Sequence, residues 1–265
     1  MKRQHDRYNK DNTMRMLSPS TSVKLFATGA TVGPIVDSLH NQCLLRYDMA
    51  QISLEWPTAL ASFSDYNYLF CSSWYVPPLL GVAYLVLGGV LPRLFETLLE
   101  SFSIQDIRPV RSTGSELRTR AIAAVTTTAL IIKLSEFLET NAAVTDIIPL
   151  ERPVAHILVL LAAALSQWAL LDGSIAALIA ATITSLGGPL SELPFVANDF
   201  WVYLEGAGDY LPLANIDNGL LESLLGENYQ TLAISSITGP CYFAVTMDAI
   251  ALGRWFDADE SPTKS

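Results

Sequence analysis

Apolar residues collect into six runs with polar segments between them: residues 23–45, 70–92, 121–138, 154–171, 175–195 and 232–256. The clearest is 70–92, FCSSWYVPPLLGVAYLVLGGVLP, which has 23 residues and no charge. At about 1.5 Å of rise per residue, such a run crosses a hydrocarbon core of about 30 Å with some tilt. Soluble proteins seldom place so long an uncharged run in one helix. The pattern therefore predicts an all-α membrane protein, a six-transmembrane-helix bundle occupying residues 23–256. Residues 1–22 read as a polar, basic, disordered tail, and residues 257–265 as a short polar tail.

Smaller features refine these elements. In the second run, Trp74 and Tyr75 have the amphipathic rings of a membrane interface. Pro77-Pro78 suit a first helical turn, where their missing N–H groups would be unpaired in any case. Gly29 and Gly33 in the first run, and Gly81, Gly88 and Gly89 in the second, leave helix faces without side chains, where a backbone or a lipid can come close. The first run also holds Pro34, Asp37, His40 and Gln42. Either these polar groups face the bundle interior, or the helix ends near Ile35 and leaves them among headgroups.

Residues 46–69 form a polar connection. Leu94, Phe95, Leu98, Leu99 and Phe102 recur at helical spacing and predict a short helix on the membrane surface. Asp172-Gly173-Ser174 alone joins the fourth and fifth runs, which forces an antiparallel hairpin. Gly187-Gly188-Pro189 is expected to end the fifth run early. Leu220, Leu221, Leu224 and Leu225 predict another short amphipathic helix within the acidic segment 196–230, and Asp248 interrupts the sixth run.

Charge sets the orientation. Six Lys or Arg residues precede or open the first run, five lie between the second and third, and two follow the middle of the sixth. The opposite face has only Arg46 and Arg152, with Lys133 inside the third run. By the positive-inside rule both termini are cytosolic, or stromal in a plastid membrane. Residues 187–230 hold seven acids and no base, which suits the other side. The net charge of −10 does not suggest a nucleic-acid partner. The N-terminal segment lacks the short apolar core of a secretory signal peptide, and an organelle-targeting reading stays open.

Little in the chain suggests catalysis. Asp37-Ser38-Leu39-His40 has acid, nucleophile and base types, but adjacency along one helix does not converge them on a reacting atom. No GxSxG, HExxH, phosphate-loop or dinucleotide pattern occurs. Cys43, Cys71 and Cys241 lack metal-like spacing. Lys133 and Glu136, three residues apart, are expected to pair on one helix face. Trp168 and Asp172, spaced i, i+4, share a face at the cytosolic end of the fourth run. Asp172 either caps the next helix through its side-chain oxygen or offers an acidic contact to a partner protein.

Trp74-Tyr75-Val76-Pro77-Pro78 before a Gly-rich run, Trp168 and Asp172 closing the fourth run, and Pro240-Cys241 with Gly253-Arg254 in the sixth resemble the Insig (insulin-induced gene) family of endoplasmic-reticulum membrane proteins. The resemblance runs from the first span to the sixth in the same order. It implies a non-enzymatic regulator with no cofactor. Such a protein binds a sterol, or a diacylglycerol-like lipid, among its spans and holds sterol-sensing membrane partners, an escort protein and a reductase. Asp172 matches the family's partner-contact acid and Trp168 an aromatic residue of its ligand cavity. Gly29, Gly33, Gly81 and Gly88 are the faces expected to admit the lipid. The family's Trp pair is Trp168-Ala169 here, a family Gln falls on Ala155, and a family Phe falls near Ala124. Two other classes fit parts of the chain. One is a lipid-binding assembly subunit of a plastid or other organelle membrane complex. The other is an intramembrane enzyme or transporter using Asp37, His40, Lys133 and Asp248.

Overall fold

The computed structural model describes residues 17–58, 60, 66–104, 113–141 and 150–260. The tail positions 1–16 and 261–265, and Arg108 and Arg111 of the basic loop, lie outside the described residues. In chain order the elements are α1 (Pro19–Asp37), α2 (Asn41–Leu44), β1 (Leu45–Tyr47), β2 (Gln51–Glu55), β3 (Tyr68–Ser73) and α3 (Val76–Tyr84). A π-helical turn (Leu85–Val90) leads to α4 (Leu91–Ser101), then α5 (Gly114–Thr140), α6 (Arg152–Leu171) and α7 (Ile175–Ser191). The chain ends with α8 (Leu193–Ala197), β4 (Trp201–Tyr203), α9 (Gly219–Leu225) and α10 (Thr238–Glu260).

Among the described residues, four helices are long and apolar enough to cross a membrane: Val76–Ser101, Gly114–Thr140, Arg152–Leu171 and Ile175–Ala197. Helices α1 and α10 have 19 and 23 residues but a more polar make-up. Several expected boundaries change, among them the start of the sixth helix, which is Thr238 and not residue 232. Phe70–Ser73 is strand, paired antiparallel with Gln51–Leu54, and the helix starts only at Val76. Pro77 and Pro78 account for this, since they lack the N–H groups an upstream turn would need and fit only a first helical turn. At its other end the same helix runs through the π turn into α4, so the expected separate surface helix is its continuation. The first helix stops at Asp37, and His40 stands in the turn after it. Helix α7 runs through Gly187-Gly188-Pro189 to Ser191, with Pro189 inside it, and α8 follows at Leu193, so the expected early end at the glycines does not occur; α9 forms over the Leu220–Leu225 pattern.

Helix α10 is the hub. It packs against α1, the π turn, α5, α6 and α7, and Ala244, Thr246, Asp248, Ala249 and Ile250 on it have no exposed surface. Small residues let the helices close on one another, as expected where packing rather than water drives association. Ala176, Ala177, Ala180 and Ala181 of α7 are fully buried, and α7 packs on α10. Helix α1 runs antiparallel to α3 and the π turn: Leu17 lies near Gly89, Leu25 near Gly88, Gly29 near Tyr84 and Gly33 near Leu80.

The start of α1 and the end of α10 lie at one end of the bundle, where Thr21 Oγ1 donates to Asp257 Oδ1 at 2.9 Å and Arg93 pairs with Asp257. The other end is capped by short strands. Tyr47 pairs with Trp201 and Leu45 with Tyr203 across β1 and β4, and Tyr210 bridges to Ile234. Trp201 stacks on Phe195 with ring centroids 4.9 Å apart.

Candidate functional site

The two residues singled out at the end of the fourth run, Trp168 and Asp172, build one compact turn. Helix α6 ends with Asp172 N–H and Gly173 N–H both donating to Trp168 O, at 3.0 and 2.8 Å. Gly173 has φ of +72°, the left-handed conformation that closes a helix and costs glycine nothing. Ser174 then caps α7, its Oγ accepting from Ala177 N. Across the turn the Trp168 indole N–H donates to Ser174 O at 2.9 Å.

Asp172 is buried, with 8% of its surface exposed. Its Oδ1 accepts from Ser174 N at 2.9 Å and from the Ser174 hydroxyl; its Oδ2 takes the Nη1 of Arg254 on α10. Arg254 Nη2 reaches Ser174 Oγ at 2.9 Å and Glu96 on α4 at 3.4 Å. Asp172 therefore orders the loop ahead of the cap, while Ser174 is the cap itself. On the neighbouring helix, Arg120 hydrogen-bonds Leu171 O at 3.4 Å, a cation on a helix C-terminus. The whole turn is thus tied to α10, α4 and α5.

The glycine faces are filled by protein. A methyl on Gly29 would meet Leu80 O and the Tyr84 side chain. One on Gly33 would lie 2.9 Å from Leu80, and one on Gly81 2.8 Å from Phe26. Gly88 faces the backbone of Ala249, and Gly253 faces the backbone of Gly88. In this structure the space on these faces, expected to admit a lipid, holds neighbouring helices.

Polar residues gather in two further places. At the strand-capped end, His40 Nδ1 lies 2.8 Å from Ser135 Oγ, and His40 Nε2 lies 3.8 Å from Asp37. The serine hydroxyl donates to Ile132 O at 2.7 Å, so His40 is the donor in their contact. This is not an activated nucleophile, because no base takes the serine proton. Asp37 also accepts from Tyr47 and Asn41. Burial holds His40 below its ordinary pKa of 6.5, with Asp37 and Glu136 pulling the other way. Burial pushes the Cys43 thiol up to about 12, which removes it as a thiolate. Lys133 and Glu136 do pair, as their spacing predicts, and His156 Nδ1 contacts Glu139 at 2.8 Å.

Inside the bundle, Gln167 donates to Ala124 O at 3.0 Å and to Thr128 Oγ1 at 2.9 Å, and Thr128 donates to Ala244 O. The fully buried Asp248 faces the hydroxyls of Tyr84 and Thr128. Sequence reasoning missed this tie and missed Arg254 as the partner of Asp172. The first had a signal, since a lone Gln in an apolar run points to an internal partner. The second had none, as 82 residues separate the pair.

Long apolar helices packed through small residues, with polar groups turned inward and tied to one another, define a multi-pass helical membrane protein. The family model of insulin-induced protein (INSIG) matches residues 20–254, and the chain belongs to that family. Its members are regulatory membrane proteins, so a sterol-regulatory role and membrane-protein partners are what membership suggests. A search of curated proteins returns no match.

Proposed function

We propose that the chain is a non-enzymatic regulator of sterol or lipid homeostasis in the endoplasmic-reticulum membrane. In this reading all six long helices span, both termini are cytosolic, and the strand-capped end is lumenal. It binds a sterol or diacylglycerol-like lipid and holds membrane partner proteins. The observation that carries the reading is the family match over residues 20–254, which includes the Trp168–Ser174 turn. Trp168 is the proposed ligand residue and Asp172 the proposed partner residue. With its N–H engaged by Ser174 O, Trp168 offers a ligand its ring rather than a donor. A lipid using the Gly29–Gly33–Gly81 face would have to part α1 from α3, and one using Gly88 would have to part the π turn from α10. Because Trp168 and Asp172 share one turn, a lipid that moves the ring also biases the partner end, and the coupling is reciprocal.

The test is to purify the protein in mild detergent, identify the co-purifying lipid, and compete it with sterols and diacylglycerols. A saturable sterol that protects against heat supports the reading. A diacylglycerol or glycolipid alone shifts it toward lipid-dependent assembly, and no specific lipid overturns it. A glycosylation acceptor inserted near residue 217 should be modified in microsomes and one near residue 263 should not. The reverse pattern would overturn the orientation.

A further inference from the structure

Asp172 stands as the proposed partner-contact acid, yet its position is a poor one for contact. Both carboxylate oxygens are occupied within the chain, and the side chain is nearly sealed from its surroundings. A partner donor could reach it only by displacing Arg254 or opening the turn. What the carboxylate does do is plain from its bonds. It orients Ser174, which caps α7, and receives the guanidinium of α10. Arg254 in turn holds Asp172 and Ser174 together and extends to Glu96 on α4. Four helices therefore meet through one guanidinium: α6 and α7 at the turn, α4 through Glu96, and α10 itself. A forked, planar cation is suited to this, since it presents several donors in fixed directions.

We propose that Arg254 is the positioning residue of partner recognition: it clamps Asp172 and Ser174, and the partner reads the shape of the clamped Trp168–Ser174 turn rather than the Asp172 carboxylate. The inference rests on the reading that this turn is the partner-binding end. On it, an Asp172 variant and an Arg254 variant are equivalent, because each removes the same clamp. On the direct-contact alternative they are opposite, because losing Arg254 frees the carboxylate and leaves the loop bonds to Ser174 in place.

The experiment uses the full chain in mild detergent with Asp172→Ala, Arg254→Ala, the double variant and Arg254→Lys. Two quantities are read. The first is amide exchange over residues 169–178. Arg254→Ala should accelerate it about a hundredfold, the fold-change expected on breaking a buried charge pair. The double variant should be no worse than the Asp172→Ala single, and Arg254→Lys should recover part of the protection. The second is the amount of one membrane protein, identified beforehand by mass spectrometry as co-purifying with the unmodified chain, that each variant retains. The clamp predicts equal losses for both alanine variants and the double, with partial rescue by lysine. Full retention by Arg254→Ala would overturn the inference, as would unchanged exchange in that variant. If no membrane protein co-purifies with the unmodified chain, the partner reading fails by itself, and the exchange data still decide the clamp.

Discussion

Substituting Gly88 by alanine tests whether the glycine faces exist for protein or for lipid. Gly88 lies in the π turn, against α10. An added methyl would fall 2.7 Å from the carbonyl carbon of Ala249, closer still to its oxygen, and 3.0 Å from a methyl of Leu25. Carbon atoms rest about 3.5–4.0 Å apart, so α10 must retreat by about 1 Å. The receiving atoms are backbone of the most buried helix and cannot rotate away as a side-chain tip would. The retreat would also open the contact between Gly253 and the Gly88 carbonyl. Overpacking of this kind costs about 3 kcal/mol at the upper end of its usual range, and the better helix propensity of alanine offsets about 1 kcal/mol. The net loss is about 2 kcal/mol. Gly187 is the control. It is helical, and a methyl there meets nothing within 4 Å, so Gly187→Ala should be neutral or gain up to about 1 kcal/mol. At about 2–4 °C per kcal/mol for a chain of this size, the two variants should differ in Tm by about 4–12 °C. The assay is thermal unfolding of both in one detergent, with bound lipid quantified alongside. Equal melting temperatures would refute the packing argument. So would a Gly88→Ala protein of normal stability that has lost a bound lipid.

Two further substitutions probe the polar ties. His40 is held neutral by burial, so near pH 6.5 the folded chain binds fewer protons than the unfolded one, and stability falls as pH drops through that value. His40→Gln keeps a donor for Ser135 but does not titrate; it should show less destabilisation between about pH 7.5 and about pH 5.5, and identical pH dependence of the melts would refute the assignment. Gln167→Leu removes both donors to Ala124 O and Thr128 Oγ1 and should cost about 1 kcal/mol in a reversible denaturation in detergent, the scale of an interhelical hydrogen bond in a membrane protein. A variant as stable as the unmodified chain would show the tie to be dispensable.

What the sequence made legible, and what it hid, follows from the range of the forces involved. The helix centres were readable because each is a long run that lipid or a packed core alone accommodates. The hairpin at Asp172-Gly173-Ser174 was readable because three residues permit only one geometry. Helix ends are decided by local hydrogen bonds that compete with the helix, and there the apolar pattern misleads. Phe70–Ser73 belongs to the same uncharged run as the helix it precedes, yet it pairs with Gln51–Leu54 because Pro77-Pro78 deny it a helical continuation. The reverse happened after Pro92: that proline falls in the second position of α4, where its missing N–H is tolerated, and the preceding π turn carries the helix on. A glycine announces only that a side chain is missing. Whether Tyr84, the backbone of Ala249 or a lipid occupies the gap depends on helices far away in the chain, and the same holds for Arg254. Its charge near the end of an apolar run was visible, but the carboxylate it clamps belongs to a turn fixed by two other helices. That Trp168 and Asp172 meet in one turn was therefore legible, and the bonds that hold the turn were not. That geometry makes Asp172, which the sequence left as either a helix cap or a partner contact, the buried half of a tie to Arg254.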